Sequence, residues 1–418
     1  MIFDSESVFE ENVITVLKQH GWKDGVLRYP TERDLLDNWK DILYRNNNDI
    51  DRLGKYPLTD GEMAQIIEQI ETLRTPLALN SFVIGRTVSI TRDNKEDVAH
   101  FGKEVSLYIY DRKEIAGGKS TYQIAQQPVY PAKNKMLNSR RGDLVLLING
   151  MPLIHIELKK SGIPVSQATN QIEKYAHEGV FTGLFRLVQI FVAMNPDDAV
   201  YFANPGVDKF NPSYYFHWAD YNNEPICGGQ NPGKDEWKLF IGGTSGTAGL
   251  LSIPMAHQLI GFYTIADSAD GCLKVLRSYQ YIAANAISDV VRKCDWEQRP
   301  SMPGRPGGYV WHTTGSGKTM TSFKSAQLIA DSHDADKVVF LMDRIELGTQ
   351  SLKEYRSFAD SETEVQGTEN TGVLRDKLNS TDVNDTLIVT SIQKMSNVKT
   401  GERGVTQTWL DQLAERRI

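Results

Sequence analysis

Cysteine is scarce in this sequence. Its three copies, Cys227, Cys272 and Cys294, are scattered, with no C-x-x-C pair. That argues against a zinc knuckle or a disulfide framework and suits a reducing cytoplasm. Long apolar runs are missing too. No stretch reaches the roughly 18 apolar residues of a membrane span, so no membrane partner is expected. The first residues, MIFDSESVFEEN, are acidic and lack the basic start and apolar core of a secretory leader. A cytoplasmic location is therefore expected. A strong excess of one charge is also absent: the formal net charge is −7 over 418 residues. That excludes a global basic field, so any contact with nucleic acid must use local patches. No internal repeat, heptad array or low-complexity tail is visible. Hydrophobic residues at 40% and charged residues at 24% describe an ordinary globular chain. At about 150 residues per domain, two or three domains are expected.

The chain divides by pattern. Residues 8–21 place Val8, Val13, Val16 and Leu17 at helical spacing, with Gly21 able to cap the end. Residues 31–75 also read as helical, with a stripe of Leu35, Leu36, Trp39, Ile42 and Leu43. Phe82–Thr91 and Glu104–Tyr110 alternate as strands do. Asp143–Lys159 reads as two strands joined by Asn149-Gly150, a strong hairpin signal. A helix over 166–178 and a strand over 187–195 follow. Residues 222–249 are rich in Asn, Gly and Pro, which makes them the best candidate boundary, and 226–254 read as a linker. Residues 1–225 then form one α/β domain and 255–418 another. In the second, GGYVWH (307–312), a helix at 317–331, VVFLMD (338–343) and TLIVT (386–390) suggest a βαβ series on a parallel sheet.

The clearest chemical motif is Trp311-His312-Thr313-Thr314-Gly315-Ser316-Gly317-Lys318-Thr319. It fits G-x-x-x-x-G-K-[S/T] except that His312 stands at the first glycine. Small residues let backbone N–H groups turn inward around phosphate oxygens at the start of a helix. Lys318 would reach the β- and γ-phosphates of ATP, and the Thr319 hydroxyl would ligate Mg²⁺. The plain alternative is a glycine turn that merely joins a strand to a helix. Upstream, Gln280 could read adenine, because its amide both donates and accepts.

A second constellation lies on the hairpin. Alternation sets Ile154, Ile156 and Leu158 on one face and His155, Glu157 and Lys159 on the other. The turn brings Asp143 back towards Glu157 and Lys159. Two carboxylates could then hold Mg²⁺, while the lysine orients water or steadies developing charge. A lone E-x-K is common on wet strand faces; the aspartate at hairpin distance is what lifts this one. Gln171 and Tyr175, four apart on the next helix, share a face that could meet a DNA backbone.

Taken together, RGDLVLLINGMPLIHIELKK, QIEKY, RSYQYIAANAI, WHTTGSGKT, VVFLMDR and IVTSIQKM resemble, in the same order, the restriction (R) subunits of type I restriction–modification enzymes. The resemblance implies a PD-(D/E)xK nuclease-like α/β domain followed by a truncated RecA-like, parallel-sheet P-loop domain of a superfamily 2 motor. It implies nuclease roles for Asp143, Glu157 and Lys159, with Gln171 and Tyr175 as the Q-x-x-x-Y element and Glu10 as a further acidic position. It implies adenine contacts by Gln280 with Arg277, and nucleotide contacts by Thr314, Gly315, Ser316, Gly317, Lys318 and Thr319. Asp343-Arg344 and Thr390-Ser391-Ile392-Gln393 would be strand-end segments that track DNA. ATP and Mg²⁺ would be the cofactors. Double-stranded DNA and the methylase and specificity subunits would be the partners of an ATP-driven, DNA-cleaving machine.

Two features depart from the family. Gly142 stands where the motif's name expects proline. No Asp-Glu pair, which would hold Mg²⁺ and activate water, follows Thr319; Asp235-Glu236 lies before the loop. The chain is therefore expected to be an N-terminal piece that binds ATP without the hydrolytic motif. Two other readings stay open: a superfamily 2 DNA helicase or repair protein with a nuclease-like N-terminal domain, and a non-enzymatic, nucleotide-responsive DNA-binding module.

Overall fold

The computed structural model describes residues 2–115, 117–130, 140–207, 209–229, 235–296, 307–343, 345–359, 364–399 and 406–418. Two compact units emerge. The first comprises Met1–Thr264 and Gly271–Ser278; the second comprises Ile265–Asp270 and Tyr279–Ile418. Both mix helices and strands. Among the described residues no helix is long and apolar enough to cross a membrane.

The first unit is built on a six-stranded sheet: β1 (Val26–Arg28), β2 (Tyr122–Gln126), β3 (Leu144–Ile148), β4 (Met151–Leu158), β5 (Ile190–Met194) and β6 (Ala199–Ala203), in that spatial order. The β1–β2 and β4–β5 pairs are parallel; the other three are antiparallel. At the β3–β4 turn, Asn149 and Gly150 both take positive φ, 51° and 83°, as a type I′ hairpin requires. The register slips once between Leu146 and Leu147, and β4 then runs Ile154 opposite Leu146, His155 opposite Val145 and Ile156 opposite Leu144. Every residue of β3 and β4 is buried. The face carrying His155 and Glu157 is therefore covered like the apolar one.

Helices cover the sheet. α1 (Glu6–Gln19) starts at Ser5, whose side chain accepts from the Val8 amide, and buries Phe9, Glu10, Val13 and Leu17. α2 (Glu32–Asn46) is opened by a capping box of Thr31 and Asp34. α3 (Val165–Glu178) buries Ala168, Ile172 and Tyr175, and Ala168 and Ile172 join Phe191 and Phe202 of the sheet in one core cluster. The expected strand at Phe82–Thr91 is shorter, Thr87–Thr91, and pairs with Glu104–Tyr108. Its first residues belong instead to the helix Pro76–Ile84, because Thr75 caps that helix and Pro76 suits its first turn.

The stretch 226–254, expected as a linker, lies within the first unit. Its large apolar side chains Trp237, Phe240, Ile241, Leu250 and Leu251 are buried. Trp237 is buried, with its ring 5.2 Å from that of Phe9 and 6.0 Å from that of Phe3. The Trp22 indole donates to the Leu251 carbonyl at 2.6 Å. The helix Met255–Gly261 belongs there as well, and Tyr122 Oη and His257 Nδ1 lie 2.9 Å apart.

The second unit contains a three-stranded parallel sheet, ordered β7 (Val338–Met342), β9 (Leu387–Ser391), β8 (Val365–Gly367). The glycine loop leads into α4 (Lys318–Ser332). Residues 307–312, expected as a strand, form none: Tyr309 is 89% and Trp311 88% exposed. Alternation favours a strand, but only a neighbouring ladder makes one.

Candidate active site

Two sites follow from this framework, one in each unit. In the first, Asp143 immediately precedes β3, and the pairing of Leu144 with Ile156 sets it across from Glu157. Its Oδ2 accepts the Leu158 amide at 2.7 Å, which fixes the carboxyl beside the end of β4. Lys159 Nζ donates to the Leu158 carbonyl at 2.8 Å and to Glu157 Oε1 at 3.4 Å. Asp143, Glu157 and Lys159 thus converge, as the hairpin predicts.

Burial dominates the electrostatics of this cluster. It raises the Asp143 carboxyl well above the ordinary carboxylate range, and the neighbouring Glu157 charge pushes the same way. Burial raises Glu157 to about 7, while the Lys159 charge pulls it back. Glu157 Oε2 is buried without a hydrogen-bond partner. An acid pair that resists ionisation, with an orphaned oxygen, suits a hard divalent cation, whose charge would stabilise both carboxylates. Asp143 and Glu157 are the residues that would hold it. Among the described residues no group of three or more His, Cys, Asp or Glu is assembled as a metal cage.

The surrounding residues come from distant elements. Glu10 of α1 is buried, and its carboxylate accepts Gln126 Nε2 at 2.5 Å and Gln127 Nε2 at 3.3 Å. Burial raises its pKa, with a further push from the Asp143 charge. On α3, Gln171 Nε2 donates to Tyr175 Oη at 2.7 Å, and Tyr175 Oη donates to the Arg141 carbonyl at 2.9 Å. Both line a polar groove of about 340 Å³ with Arg140, Gln167, Asn170 and Lys174. Sequence reasoning missed Glu6, whose carboxylate lies 3.6 Å from Lys159 Nζ, and gave no role to His155 or Tyr130. Burial of the whole of β4 was the missing signal.

The second site is the phosphate loop. Gly315 and Gly317 have φ of 78° and 84°, which a side chain would strain. A Cβ at Gly317 would also lie 2.3 Å from Gln280 Nε2. Gln280 is buried and donates to the Gly317 carbonyl at 3.3 Å. Tyr279 Oη donates to the Ser316 carbonyl at 2.8 Å. His312 Nδ1 and Ser316 Oγ lie 2.8 Å apart, and burial followed by the Lys318 charge lowers the His312 pKa. Lys318 is exposed at the start of α4, with Nζ 3.2 Å from the Thr313 carbonyl. Thr314 is exposed and Thr319 half-buried. Arg277, expected beside Gln280, belongs to the first unit, where its guanidinium lies 4.4 Å from the Phe216 ring centroid. At the strand ends, Gln393 Nε2 donates to the Asp343 carbonyl at 2.9 Å, Thr390 Oγ1 accepts from Thr368 Oγ1 at 2.8 Å, and Ser391 caps the helix Ile392–Ser396. Arg344 lies outside the described residues.

Each half of the chain matches a known family. Residues 4–210 match the family described as the type I restriction enzyme R protein N terminus, and residues 279–417 match the SWI2/SNF2 ATPase family. A type I restriction enzyme endonuclease subunit of Staphylococcus saprophyticus is 32% identical over 95% of this chain and 37% of its own length. One from Staphylococcus aureus is 32% identical over 96% of this chain and 38% of its own. The EcoprrI endonuclease subunit of Escherichia coli is 29% identical over 74% of this chain and 90% of its own. The chain thus spans a little over a third of the length of the first two relatives. With this likeness along nearly its whole length, and both halves matched in order, the chain belongs to the family of type I restriction enzyme R proteins.

Proposed function

We propose that the first unit is a PD-(D/E)xK-type nuclease that hydrolyses DNA phosphodiesters, and that the second is the nucleotide-binding part of a RecA-like DNA motor. The observation that carries the first reading is the buried convergence of Asp143, Glu157 and Lys159 at the end of one hairpin. Asp143 and Glu157 would hold Mg²⁺, which when bound supplies Lewis-acid polarisation of a phosphate. Lys159, its ammonium beside Glu157, orients the attacking water and offsets charge developing on the phosphate. Gln171 and Tyr175, with Arg140 and Lys174 along the same groove, contact the DNA backbone on double-stranded substrate. Glu10 stays an acidic neighbour held by Gln126 and Gln127.

In the second unit, the amides of Thr314–Thr319 cradle the phosphates of ATP, Lys318 meets the β- and γ-phosphates, and Thr319 would contribute its hydroxyl to Mg²⁺. Gln280 presents its amide to adenine while bracing the loop. The names of the relatives support placing this chain in a type I restriction enzyme as an endonuclease subunit; work with methylase and specificity subunits, and ATP use coupled to movement on DNA, are part of the same proposal. The deciding experiment is Mg²⁺-dependent nicking of supercoiled plasmid by the 418-residue chain. Glu157→Ala should lower the rate by about 100-fold or more, as loss of a principal electrostatic group does. Equal nicking by the wild type and Glu157→Ala would refute the nuclease assignment.

A further inference from the structure

The mechanism above leaves one buried group beside Glu157 without a task. His155 is fully buried on β4, two residues before Glu157 and on the same face. Rings hold it from several sides: Phe181 at 5.4 Å, Phe191 at 6.0 Å and Tyr175 at 6.3 Å between centroids. Its Nδ1 lies 2.9 Å from Tyr130 Oη. Its Nε2 lies 3.4 Å from Glu157 Oε2, close but short of a formed hydrogen bond, and both of those atoms are buried without a hydrogen-bond partner. Two orphaned polar atoms facing each other are costly apart and inexpensive once one donates to the other.

We infer that His155 is a positioning residue for the nuclease: Tyr130 donates to its Nδ1, the ring proton sits on Nε2, and that N–H holds Glu157 Oε2 in place for a divalent cation. A neutral imidazole accepts at one nitrogen and donates from the other, so the Tyr130 hydroxyl selects the tautomer. Outer partners of this kind fix the orientation of a carboxylate ligand and raise its affinity for metal.

Gly142 fits the same arrangement. A Cβ at this position would lie 2.5 Å from Tyr130 Oη and 2.9 Å from His155 Cε1. Proline carries that Cβ as well. The departure at the residue before Asp143 therefore makes room for the Tyr130–His155 pair, and the sequence alone gives no reason for it.

The inference rests on the nuclease reading, and its test separates the two. ¹⁵N-histidine labelling of the whole chain reports the tautomer without any metal. An Nε2–H tautomer for His155, lost from its single fixed form in Tyr130→Phe, is the expected result; an Nδ1–H tautomer would overturn the inference. In parallel, Mn²⁺ binding is titrated by electron paramagnetic resonance against wild type, Glu157→Gln, His155→Phe and His155→Gln. His155→Phe keeps the ring volume and should weaken Mn²⁺ by about 10–100-fold, while His155→Gln, whose amide can donate, should recover most of the loss. A folded His155→Phe with unchanged Mn²⁺ affinity would overturn the inference. Should that variant fail to fold, the wild-type and Tyr130→Phe tautomers still decide. If the wild type binds no Mn²⁺ that Glu157→Gln removes, the nuclease reading falls, and the tautomer still decides the role of His155.

Discussion

The two sites are made in opposite ways. The phosphate loop is nine consecutive residues, with Lys318 and Thr314 exposed and its shape held by hydrogen bonds to the carbonyls of Thr313, Ser316 and Gly317. The hairpin site is buried and drawn from α1, the strand pair and α3, with groups separated by more than a hundred residues meeting at Glu10. A backbone cradle needs only a few braces, here Tyr279 and Gln280, and binds a ligand that brings its own charge. A desolvated acid cluster needs the whole sheet to exist, because only packing keeps water from its carboxyls. Side chains at the hairpin should therefore matter for stability, and those at the loop for ligand affinity.

Ile156→Ala tests that contrast most severely. Ile156 is fully buried on β4, between the positions of His155 and Glu157. Truncation should cost about 2–5 kcal/mol, read as a lower urea midpoint for the first unit. A loss below about 0.5 kcal/mol would mean that the hairpin is not the keystone of that sheet. Lys318→Ala should do the reverse. Its loss removes a charge-assisted contact worth about 1.5–3 kcal/mol, so ATP affinity should fall by roughly 10–100-fold while the urea midpoint stays in place. Unchanged affinity would dissolve the phosphate-loop assignment.

Much of this was legible because it is local. Asn149-Gly150 dictates the hairpin, and the hairpin alone brings Asp143 to Glu157. The glycine loop and α4 follow from spacing in the same way. The rest depends on partners that no local pattern reveals. Glu6 reaches Lys159 from α1, Tyr130 reaches His155 from beyond β2, and Gln280 reaches Gly317 across 37 residues. At 226–254, glycine and proline are frequent enough to suggest a linker, yet Trp237, Phe240 and Ile241 are buried and the segment belongs to the first unit. The apolar alternation of 307–312 carries no information about whether a neighbouring strand is there to pair with it.

The acid pair gives the contrast a pH dependence. Glu157, at 4.5 when unfolded, is raised to about 7 in the fold. Its stabilising contribution is thus complete below 4.5 and lost as pH rises through 7. His155 and His257 work the other way: burial lowers each to about 4, so their contribution is complete above 6.5 and lost as pH falls through 4. In Mg²⁺-free buffer Glu157→Gln should remove a downward slope between pH 4.5 and 7, an effect on the order of 3 kcal/mol. Thermal melts of the variant and the wild type across that range would show it. Parallel curves would mean that Glu157 ionises as freely in the fold as in water.

The smallest expected effect concerns His312, at the position where the phosphate-loop pattern has glycine. Restoring glycine here should not improve the loop, because His312 makes contacts that glycine cannot. His312 Nδ1 pairs with Ser316 Oγ at 2.8 Å, and its ring meets Tyr279 edge-on at 5.8 Å, while Tyr279 itself holds the Ser316 carbonyl. The histidine therefore braces the loop from the strand side that residues 307–312 leave without a ladder. His312→Gly removes one partly exposed hydrogen bond worth about 0.5–1.5 kcal/mol and frees backbone that the loop must order again on binding. ATP affinity should fall by roughly 2–10-fold, less than in Lys318→Ala. Tighter binding by His312→Gly would show that the loop is limited by the bulk of its first residue, and that its shape depends on the backbone alone.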